Sequence, residues 1–450
     1  MTLTWRPAST PANATVDRRS LGEGGQPDCN PPRGGPHRQE IRGAPRRRPV
    51  TLYYVTITLF DVTQNPFVYG EVVPAAAFAD RVVELDRLVR DLAAAQKVFL
   101  ISPRRYGKSS LIRLALAAMA RRGVLTVDVT VSSFSSYVAF LEGYARALAA
   151  AETRAERART WLRDAISSTL VEIGPDLRAA SLPPAGGRPP GPTVSFPNAR
   201  TDRDVSRLAE EVFALPARLA DTRRRPVVVA LDEFQAIAGF NGGSVEHALR
   251  AAVQRQRDVG YVFAGSEPSL MERMLAARRP FYKAGPVMRL DKIPADEFAT
   301  FVDRRFLRSG MKPEPGLGAA IVELAGNLPY DVQRLAHETW DEVRGRNRRR
   351  ATLDDLHQTL WRMLAEQQTM FEATWQRLTL PQRAVLRAVV LEQGTELLSA
   401  DVRTRHRLGG PSTVQTALAA LVRDDVVTRE PDGYAVVDSL LREWVARQTF

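Results

Sequence analysis

The sequence predicts an α/β domain built on a parallel sheet, followed by an all-helical segment and a small C-terminal domain that ends in a β-hairpin. Short apolar runs alternate with helical stretches between residues 98 and 290, which is the pattern of a parallel sheet covered by helices. From residue 295 to about 375 the apolar spacing is helical throughout. Beyond about residue 376, three helical stretches precede two short strand-like runs.

The composition is that of an ordinary globular protein with two or three domains. The chain has 450 residues, of which 44% are hydrophobic and 25% are charged. Cys29 is its single cysteine, which excludes an intramolecular disulfide framework and a cysteine-based zinc cluster. No stretch approaches the roughly 20 apolar residues of a membrane span, and residues 1–7 hold no signal-peptide core. We expect a cytoplasmic protein with no membrane contact.

The basic charge is concentrated at the N-terminus. The chain carries a net charge of +12, and residues 1–50 supply +5 of it through nine Arg against four acidic residues. These fifty residues also hold eight Pro and six Gly without a periodic apolar pattern, so we predict a disordered tail. Two interpretations stay open. The first is an arm that contacts nucleic acid. The second is a segment without a binding role, either a solvated tail or a stretch translated from a start codon assigned too early.

The individual elements follow from the apolar periodicity. Strands are predicted at 98–101, 124–131, 227–231, 261–264 and 287–290. The helices between them are predicted at 111–119, 137–150, 204–222 and 245–257. Residues 182–200 are rich in Pro and Gly and are predicted to form a loop. In the C-terminal part, helices are predicted at 380–391, at 399–406 and from an N-cap at Ser412 to about 422, with hairpin strands at 426–428 and 434–436.

The first strand leads into a sequence of the P-loop type, which binds the phosphates of a nucleotide. Backbone N–H groups at the start of the next helix would hold phosphate oxygens, and Lys108 would reach the β- and γ-phosphates. Ser109 would offer its hydroxyl to Mg²⁺, and Gly107 lets the backbone approach without a Cβ. The first P-loop position is occupied by Ser102 in place of the usual Gly. The predicted phosphate-binding residues are Ser102, Pro103, Arg104, Arg105, Tyr106, Gly107, Lys108, Ser109 and Ser110.

Carboxylates follow the third predicted strand. Asp232 and Glu233 end the apolar run 227–231, where a P-loop protein places its second set of site residues. Asp232 would hold Mg²⁺ through water, and Glu233 would orient and polarise the attacking water. The next strand ends at Ser266, which would contact the γ-phosphate or the water. The alternative for Ser266 is an ordinary turn at the end of a strand.

Several motifs in the same order resemble the AAA-type ATPases known as the archaeal-type ATPase family, close to the STAND and ORC/Cdc6-like branches. The matching segments are 65–70, 78–85, 104–111, 232–235, 264–266, 280–283 and 326–330. The resemblance covers residues 64 to 450 and implies an ATP-binding core, a helical lid and a C-terminal winged helix. It also implies that the lid motif at 326–330 brings Pro329 to the nucleotide, at the position where many relatives carry an arginine.

The C-terminal domain is predicted to be a winged helix, with three helices followed by a hairpin. Its third helix would read DNA, yet residues 411–422 hold no Lys or Arg, and residues 376–450 carry ten Arg against nine acidic residues. Dedicated DNA readers are usually far more basic. Contact with DNA and packing against the ATPase core or another protein therefore stay open.

The predicted domains are a tail at 1–50, a P-loop core at 51–293, a lid at 294–375 and a winged helix at 376–450. The leading hypothesis is an ATPase that uses Mg²⁺, with Glu233, Lys108 and Ser266 in catalysis, and couples nucleotide state to movement of the lid and winged helix. The alternative is a STAND-like switch with low turnover, which acts through a protein or DNA partner. The motif Asn-Lys-x-Asp that reads guanine is absent, which disfavours a GTPase. The oligomeric state is left open.

Overall fold

A computed structural model describes residues 64–70, 78–79, 81–151, 155–166, 172–174, 193–197, 199, 201–240, 244–430 and 432–448. The predicted tail at residues 1–50 lies outside the described residues. The central sheet has five parallel strands in the order β2–β5–β6–β1–β7. These are β1 (Lys97–Ile101), β2 (Leu125–Thr130), β5 (Val227–Asp232), β6 (Val259–Gly265) and β7 (Val287–Arg289), while β3 (Glu172–Gly174) and β4 (Thr193–Ser195) form a separate antiparallel pair.

The strands of this sheet are apolar on both faces because helices cover both. Successive side chains of a strand point to opposite faces. In β1, Phe99 and Ile101 enter one core, and Val98 and Leu100 enter the other. The parallel α/β core predicted from the alternation of strands and helices is thereby confirmed.

Helices pack on the two faces of the sheet. One face is covered by α1 (Val82–Ala93) and α2 (Lys108–Arg121). The opposite face is covered by α3 (Tyr137–Ala150), α4 (Ala155–Ala165), α5 (Asp202–Arg223), α6 (Ser244–Arg255) and α7 (Pro268–Leu275). Two 3-10 turns, Val131–Ser133 and Phe234–Gly239, follow β2 and β5 directly.

The C-terminal part is mainly helical and shares one apolar core. Its first elements are α8 (Ala295–Arg308), α9 (Leu317–Leu324), α10 (Pro329–Gly345) and α11 (Leu353–Arg377), with the two-residue strands β8 (Lys312–Pro313) and β9 (Arg350–Ala351). Then come α12 (Leu380–Leu391), α13 (Ala400–Arg405), α14 (Pro411–Arg423), β10 (Val427–Glu430), β11 (Gly433–Val436) and α15 (Ser439–Arg447). Within the described part of the chain, no helix is long and apolar enough to cross a membrane.

The predicted order of three helices and a hairpin is confirmed, and two local predictions are wrong. The third helix begins at Pro411 with Gly410 as its N-cap, not after Ser412. Proline is favoured at the first helical position because its missing N–H has no partner there anyway. Residues 193–195 form β4 instead of loop, since Val194 is buried and pairs with Ile173. Helix α15 was not predicted; Asp438 caps it by accepting hydrogen bonds from the N–H groups of Leu440 and Leu441.

Residues 65–69 pack along α10. The Asn65 side chain donates to the carbonyl of His337 at 3.0 Å and to Asp341 Oδ1 at 2.8 Å. The Tyr69 hydroxyl donates to Glu338 Oε1 at 2.8 Å. Phe67 is buried in the C-terminal core, 1% exposed. This leading segment, residues 65–69, therefore belongs to the same packed unit as α10, although more than 250 residues separate them in the chain.

The N-terminus of α11 yields a stability prediction. Thr352 Oγ1 accepts from the N–H of Asp355, and Asp355 Oδ2 accepts from the N–H of Thr352, which is a capping box. We expect Thr352→Ala to lower the free energy of unfolding by about 1 kcal/mol, because the N–H of Asp355 loses its side-chain acceptor. Chemical denaturation measures this. The control is Thr369→Ala, an exposed position within the same helix, which should be neutral or slightly stabilising; equal losses in both variants would contradict the cap.

Candidate active site

Three neighbouring strands deliver the candidate residues to one edge of the sheet. Strands β5, β6 and β1 are adjacent and parallel, so their carboxyl ends lie side by side. Ile101 is level with Gly265, and the N–H of Ser102 donates to the Gly265 carbonyl at 3.2 Å. The residues that follow each strand therefore meet at this edge, where ligands bind in open α/β sheets.

The P-loop turns from β1 into α2. Gly107 caps α2 with φ of +83°, in the left-handed region that favours glycine, and a Cβ there would meet only Phe78 within 4 Å. Ser102 is 1% exposed and lies outside the left-handed region. Its place at the first P-loop position therefore needs no backbone conformation that only glycine adopts.

Lys108 lies between two carboxylates. Its Nζ donates to Asp232 Oδ1 in a short contact and to Glu233 Oε1 at 3.2 Å. Ser109 Oγ donates to Asp232 Oδ2 at 2.6 Å. Lys108 and Asp232 are both buried, 5% and 7% exposed, so each charge depends on the other for compensation.

Glu233 is held by further hydrogen bonds at its second oxygen. Ser266 Oγ donates to Oε2 in a short contact, and Gln235 Nε2 donates to the same oxygen at 2.6 Å. Burial would raise the pKa of Glu233. The Ser266 hydrogen bond, the charge of Lys108 and the Gln235 hydrogen bond outweigh it, so the pKa lies below its ordinary value. Glu233 is therefore an ionised carboxylate at neutral pH.

A cavity of about 250 Å³ opens beside these groups. One side is polar and formed by the P-loop with Glu233 and Ser266. The other side is largely apolar and is lined by Val68, Phe78, Ile293, Pro329 and Tyr330. This arrangement, with phosphate-binding groups at one end and apolar and aromatic side chains at the other, has the chemistry of a nucleotide pocket.

The structure brings most of the predicted site residues together. Lys108, Ser109, Asp232, Glu233 and Ser266 are joined by hydrogen bonds. The cavity is lined by the predicted residues Pro103, Arg104, Arg105, Tyr106, Gly107, Lys108, Ser109, Ser110 and Pro329, whereas Ser102 lies buried behind it. Their roles toward a nucleotide stay predictions.

The guanidinium groups of the two P-loop arginines point to the C-terminal part. Arg105 donates to the carbonyl of Val437 at 3.2 Å and lies 3.7 Å from Asp331 Oδ2 and 4.0 Å from Asp438 Oδ2. Its guanidinium also lies 5.6 Å from the centre of the Tyr330 ring. Burial raises the pKa of Asp331 to about 6; the charge of Arg105 opposes this, and Asp438 adds to it.

Two further ion pairs extend this contact. Arg104 lies 3.3 Å from Asp425 Oδ2, and Lys292 Nζ lies 2.7 Å from Glu430 Oε1. The three acidic residues lie along the β10–β11 hairpin. Asp425 precedes β10, Glu430 is its last residue, and Asp438 follows β11. We call these three ion pairs, Arg104–Asp425, Arg105–Asp438 and Lys292–Glu430, the hairpin contact.

Sequence reasoning missed Gln235 and the acidic residues of the hairpin contact. Gln235 stands two residues after Glu233 in the matching segment 232–235, and this proximity was a usable signal. The hairpin acids are more than 300 residues from Arg104 in the chain, and no local pattern pairs them with the P-loop.

Asp232 and Ser109 fit a magnesium ion. A carboxylate and a hydroxyl lie 2.6 Å apart at the phosphate end of the cavity, and both offer the oxygen ligands that Mg²⁺ prefers. Mg²⁺ keeps several waters and needs few protein ligands beside the phosphates. These two residues would hold it.

Comparison with known proteins supports the fold. The family described as probable winged helix domain matches residues 369–447. A Walker-type ATPase of Pyrococcus abyssi shares 15% identity with a TM-score of 0.56, over 84% of this chain and 99% of that chain. The Aeropyrum pernix ORC2 protein, in ADPNP and ADP complexes, shares 13% identity with a TM-score of 0.49, over 85% of this chain and 95% of that chain. The Aeropyrum pernix ORC1 protein in complex with DNA shares 14% identity with a TM-score of 0.46, over 84% and 94%.

The sequence has no significant match among curated proteins. At 15% identity, the likeness to the Pyrococcus abyssi protein shows a shared fold. The chain therefore has the fold of a P-loop ATPase with a C-terminal winged helix domain, as the resemblance implied.

Gly107 provides a test of the phosphate site. In Gly107→Ala the backbone is strained at φ of +83° and a Cβ enters the cavity wall. We expect the Kd for ATP to rise roughly tenfold or more, a loss of about 1.4 kcal/mol or more of binding. Gly123→Ala is the matched control, since Gly123 has the same φ and open space around it, away from the cavity. Both should lose about 1 kcal/mol of stability, and an equal change of Kd would contradict the site.

Proposed function

We propose that this chain binds ATP with Mg²⁺ and hydrolyses it to ADP and phosphate at this site. The observation that carries the proposal is the position of Lys108 between Asp232 and Glu233, at the amino end of α2 and at the mouth of the cavity. A lysine, a hydroxyl and two carboxylates converge where three strands end. Ion pairs that served stability alone would not need to lie beside a P-loop.

Phosphate binding exchanges one partner of Lys108 for another. The amino end of α2 offers backbone N–H groups and the positive end of the helix dipole. The ammonium group of Lys108 would turn from the Glu233 oxygen, at 3.2 Å, to the β- and γ-phosphates. The desolvated lysine therefore keeps a negative partner in both states, and Glu233 Oε1 becomes free.

The apolar side of the cavity suits an adenine. Phe78, Ile293 and Tyr330 offer apolar and aromatic surface to the base. Pro329 and Tyr330 begin α10, so the proposed lid supplies part of this wall. A nucleotide that contacts Pro329 would therefore act on the lid directly.

Hydrolysis needs a base and an oriented water. Once released from Lys108, Glu233 Oε1 would accept a proton from the attacking water. The water oxygen would then bond to the γ-phosphorus as the bond from the γ-phosphorus to the ADP oxygen breaks. Ser266 donates to the other carboxylate oxygen and would contact the water or the γ-phosphate. Ser109 and Asp232 would hold Mg²⁺, which would neutralise part of the phosphate charge.

Two substitutions test the proposal in the full chain. Glu233→Gln should bind ATP and lower kcat by about 10²- to 10⁴-fold, the contribution of a general base. Lys108→Ala should abolish detectable ATP binding, because the phosphates lose their cation. Steady-state phosphate release and a fluorescent ATP analogue measure the two quantities.

The control is Glu297→Gln on the exposed first turn of α8, which should match the unmodified protein. Unchanged hydrolysis in Lys108→Ala would contradict the site. Tight ATP binding with almost no turnover in the unmodified protein would favour the second candidate, a STAND-like switch of low turnover. The hairpin contact favours that candidate, because it ties the P-loop arginines to another part of the chain.

We propose in addition that nucleotide state is coupled to the lid and the winged helix. Arg105 belongs to the P-loop, Asp331 to the lid and Asp438 to the winged helix, and their charged groups meet within 4.0 Å. The phosphates bring negative charge to the same loop and would compete with these carboxylates for Arg105. By reciprocity, an effect of ATP on this contact requires an equal effect of the contact on ATP affinity.

The winged helix is the proposed contact to a partner. The outward face of α14 shows Thr413, Gln415 and Thr416, which are exposed and uncharged. The ORC1 protein of Aeropyrum pernix was solved with DNA, and DNA is accordingly one candidate partner, beside a protein. ATP turnover with and without duplex DNA decides between them, since only a DNA partner would change the rate on addition of DNA.

Arg105→Ala tests the coupling. In the unmodified protein, ATP should speed amide hydrogen exchange in residues 427–436, because the hairpin contact weakens and the hairpin opens more often. In Arg105→Ala without nucleotide the same residues should already exchange faster, by about two- to fivefold, given the ~0.2–1 kcal/mol of exposed ion pairs. The control is Arg423→Ala, whose guanidinium pairs with the adjacent Asp424. Equal exchange in all three proteins, with or without ATP, would exclude the coupling.

A further inference from the structure

Gln235 is buried beside the candidate base but lies outside every role assigned so far. It is 7% exposed and stands in the 3-10 turn Phe234–Gly239 that follows Glu233. Its Nε2 donates to Glu233 Oε2 at 2.6 Å and to Ser266 Oγ at 3.4 Å. Both partners are candidate catalytic groups, so the amide nitrogen is directed into the site.

The chemistry of the partners fixes the orientation of this amide. A carboxylate oxygen only accepts hydrogen bonds, so the NH₂ end of the amide must face Glu233. The Ser266 hydroxyl donates its proton to the same carboxylate and therefore accepts from Gln235. Gln235, Ser266 and Glu233 form a closed triangle of hydrogen bonds in which each proton has one consistent direction.

A second buried glutamine shows what a structural role looks like in this protein. Gln256 donates to the carbonyl of Phe213 at 2.6 Å and accepts from the Tyr261 hydroxyl at 2.5 Å, so both ends of its amide are bonded. Gln235 Oε1, in contrast, has no hydrogen-bond partner among the described residues. A buried acceptor without a partner costs about 1–3 kcal/mol, so the hydrogen bonds of this amide are those that Nε2 makes to Glu233 and Ser266.

The neighbouring strand leaves room for this arrangement. A Cβ at Gly265 would lie 2.8 Å from Gln235 Oε1 and 2.3 Å from Met271 Cγ. The absence of a side chain at position 265 therefore lets Gln235 lie against the end of β6. The same glycine carbonyl accepts from Ser102, which fixes the P-loop relative to this point.

We propose that Gln235 is a positioning residue that holds Glu233 Oε2, so that Oε1 faces the attacking water. The proposal rests on the hydrolysis proposed above. Among the described residues, Oε2 accepts hydrogen bonds from Gln235 and Ser266, whereas Oε1 accepts only from Lys108. When Lys108 binds phosphate, Oε1 is released and Oε2 stays anchored. The carboxylate then keeps its plane while one oxygen becomes available as the base.

The test is a double-mutant cycle in the full chain. Gln235→Met keeps the approximate size and removes the hydrogen bonds. We expect kcat to fall about 10- to 100-fold, as for a catalytic group displaced by about 1 Å, while KM for ATP and the Kd of a fluorescent ATP analogue change by less than about threefold. In a Glu233→Gln background, Gln235→Met should cause no further loss, because the residue acts through Glu233.

Gln256→Met is the matched control. It should lower the melting temperature, since both its hydrogen bonds are lost, and leave kcat of the folded protein unchanged. Gln235→Asn is a second variant that keeps the amide and shortens its reach, in case Gln235→Met folds poorly; it should also lower kcat with little change of KM.

The outcomes separate this inference from the proposed function. Turnover in the unmodified protein, with kcat unchanged in both Gln235 variants or with losses that multiply in the Glu233→Gln background, overturns the positioning role and leaves the ATPase intact. ATP binding without any turnover in the unmodified protein overturns the proposed hydrolysis, and the positioning role with it.

Discussion

Lys108 is only 5% exposed, and at such burial an unpaired ammonium group would cost several kcal/mol. The sheet supplies the compensating carboxylates by ending β5 beside the P-loop, although β6 separates the two strands. The P-loop lysine thus requires the acidic residues of a distant strand. The order of the strands, the burial of their apolar side chains and the turn into α2 all serve to keep these charges together.

The intervening strand β6 has its own part in this arrangement. It ends at Gly265, which lets Gln235 approach, and the next residue, Ser266, donates to Glu233. Its carbonyl at Gly265 also ties the first residue of the P-loop to the sheet. The uncharged strand β6 therefore determines the distance between Lys108 and the carboxylates. The candidate site depends on the backbone of Gly265 as much as on the side chain of Ser266.

The parts of the site that were predictable are those with a local pattern. The P-loop is one continuous segment, and so is the apolar run that ends in two carboxylates. Adjacent parallel strands end at the same edge of a sheet, so the two motifs were expected to meet. The loop predicted for 182–200 was wrong at 193–195, because pairing of Val194 with Ile173 outweighs the surrounding Pro and Gly residues. The partners of Arg104 and Arg105 could not be predicted, because Asp425 and Asp438 are set by the packing of the C-terminal core. Gln235 lies within the matching segment 232–235, yet its contact with Glu233 depends on the direction of its amide, which only the structure shows.

The packing of residues 65–69 against α10 restricts how this helix can move. Asn65 and Tyr69 bind α10 through side chains, Val68 N–H donates to Gln333 at 3.3 Å, and Phe67 is inserted into the C-terminal core. A rotation of α10 must either break these bonds or carry the segment with it. Since Val68, Pro329 and Tyr330 all line the cavity, this part of the cavity wall is linked to α10 and would move with it.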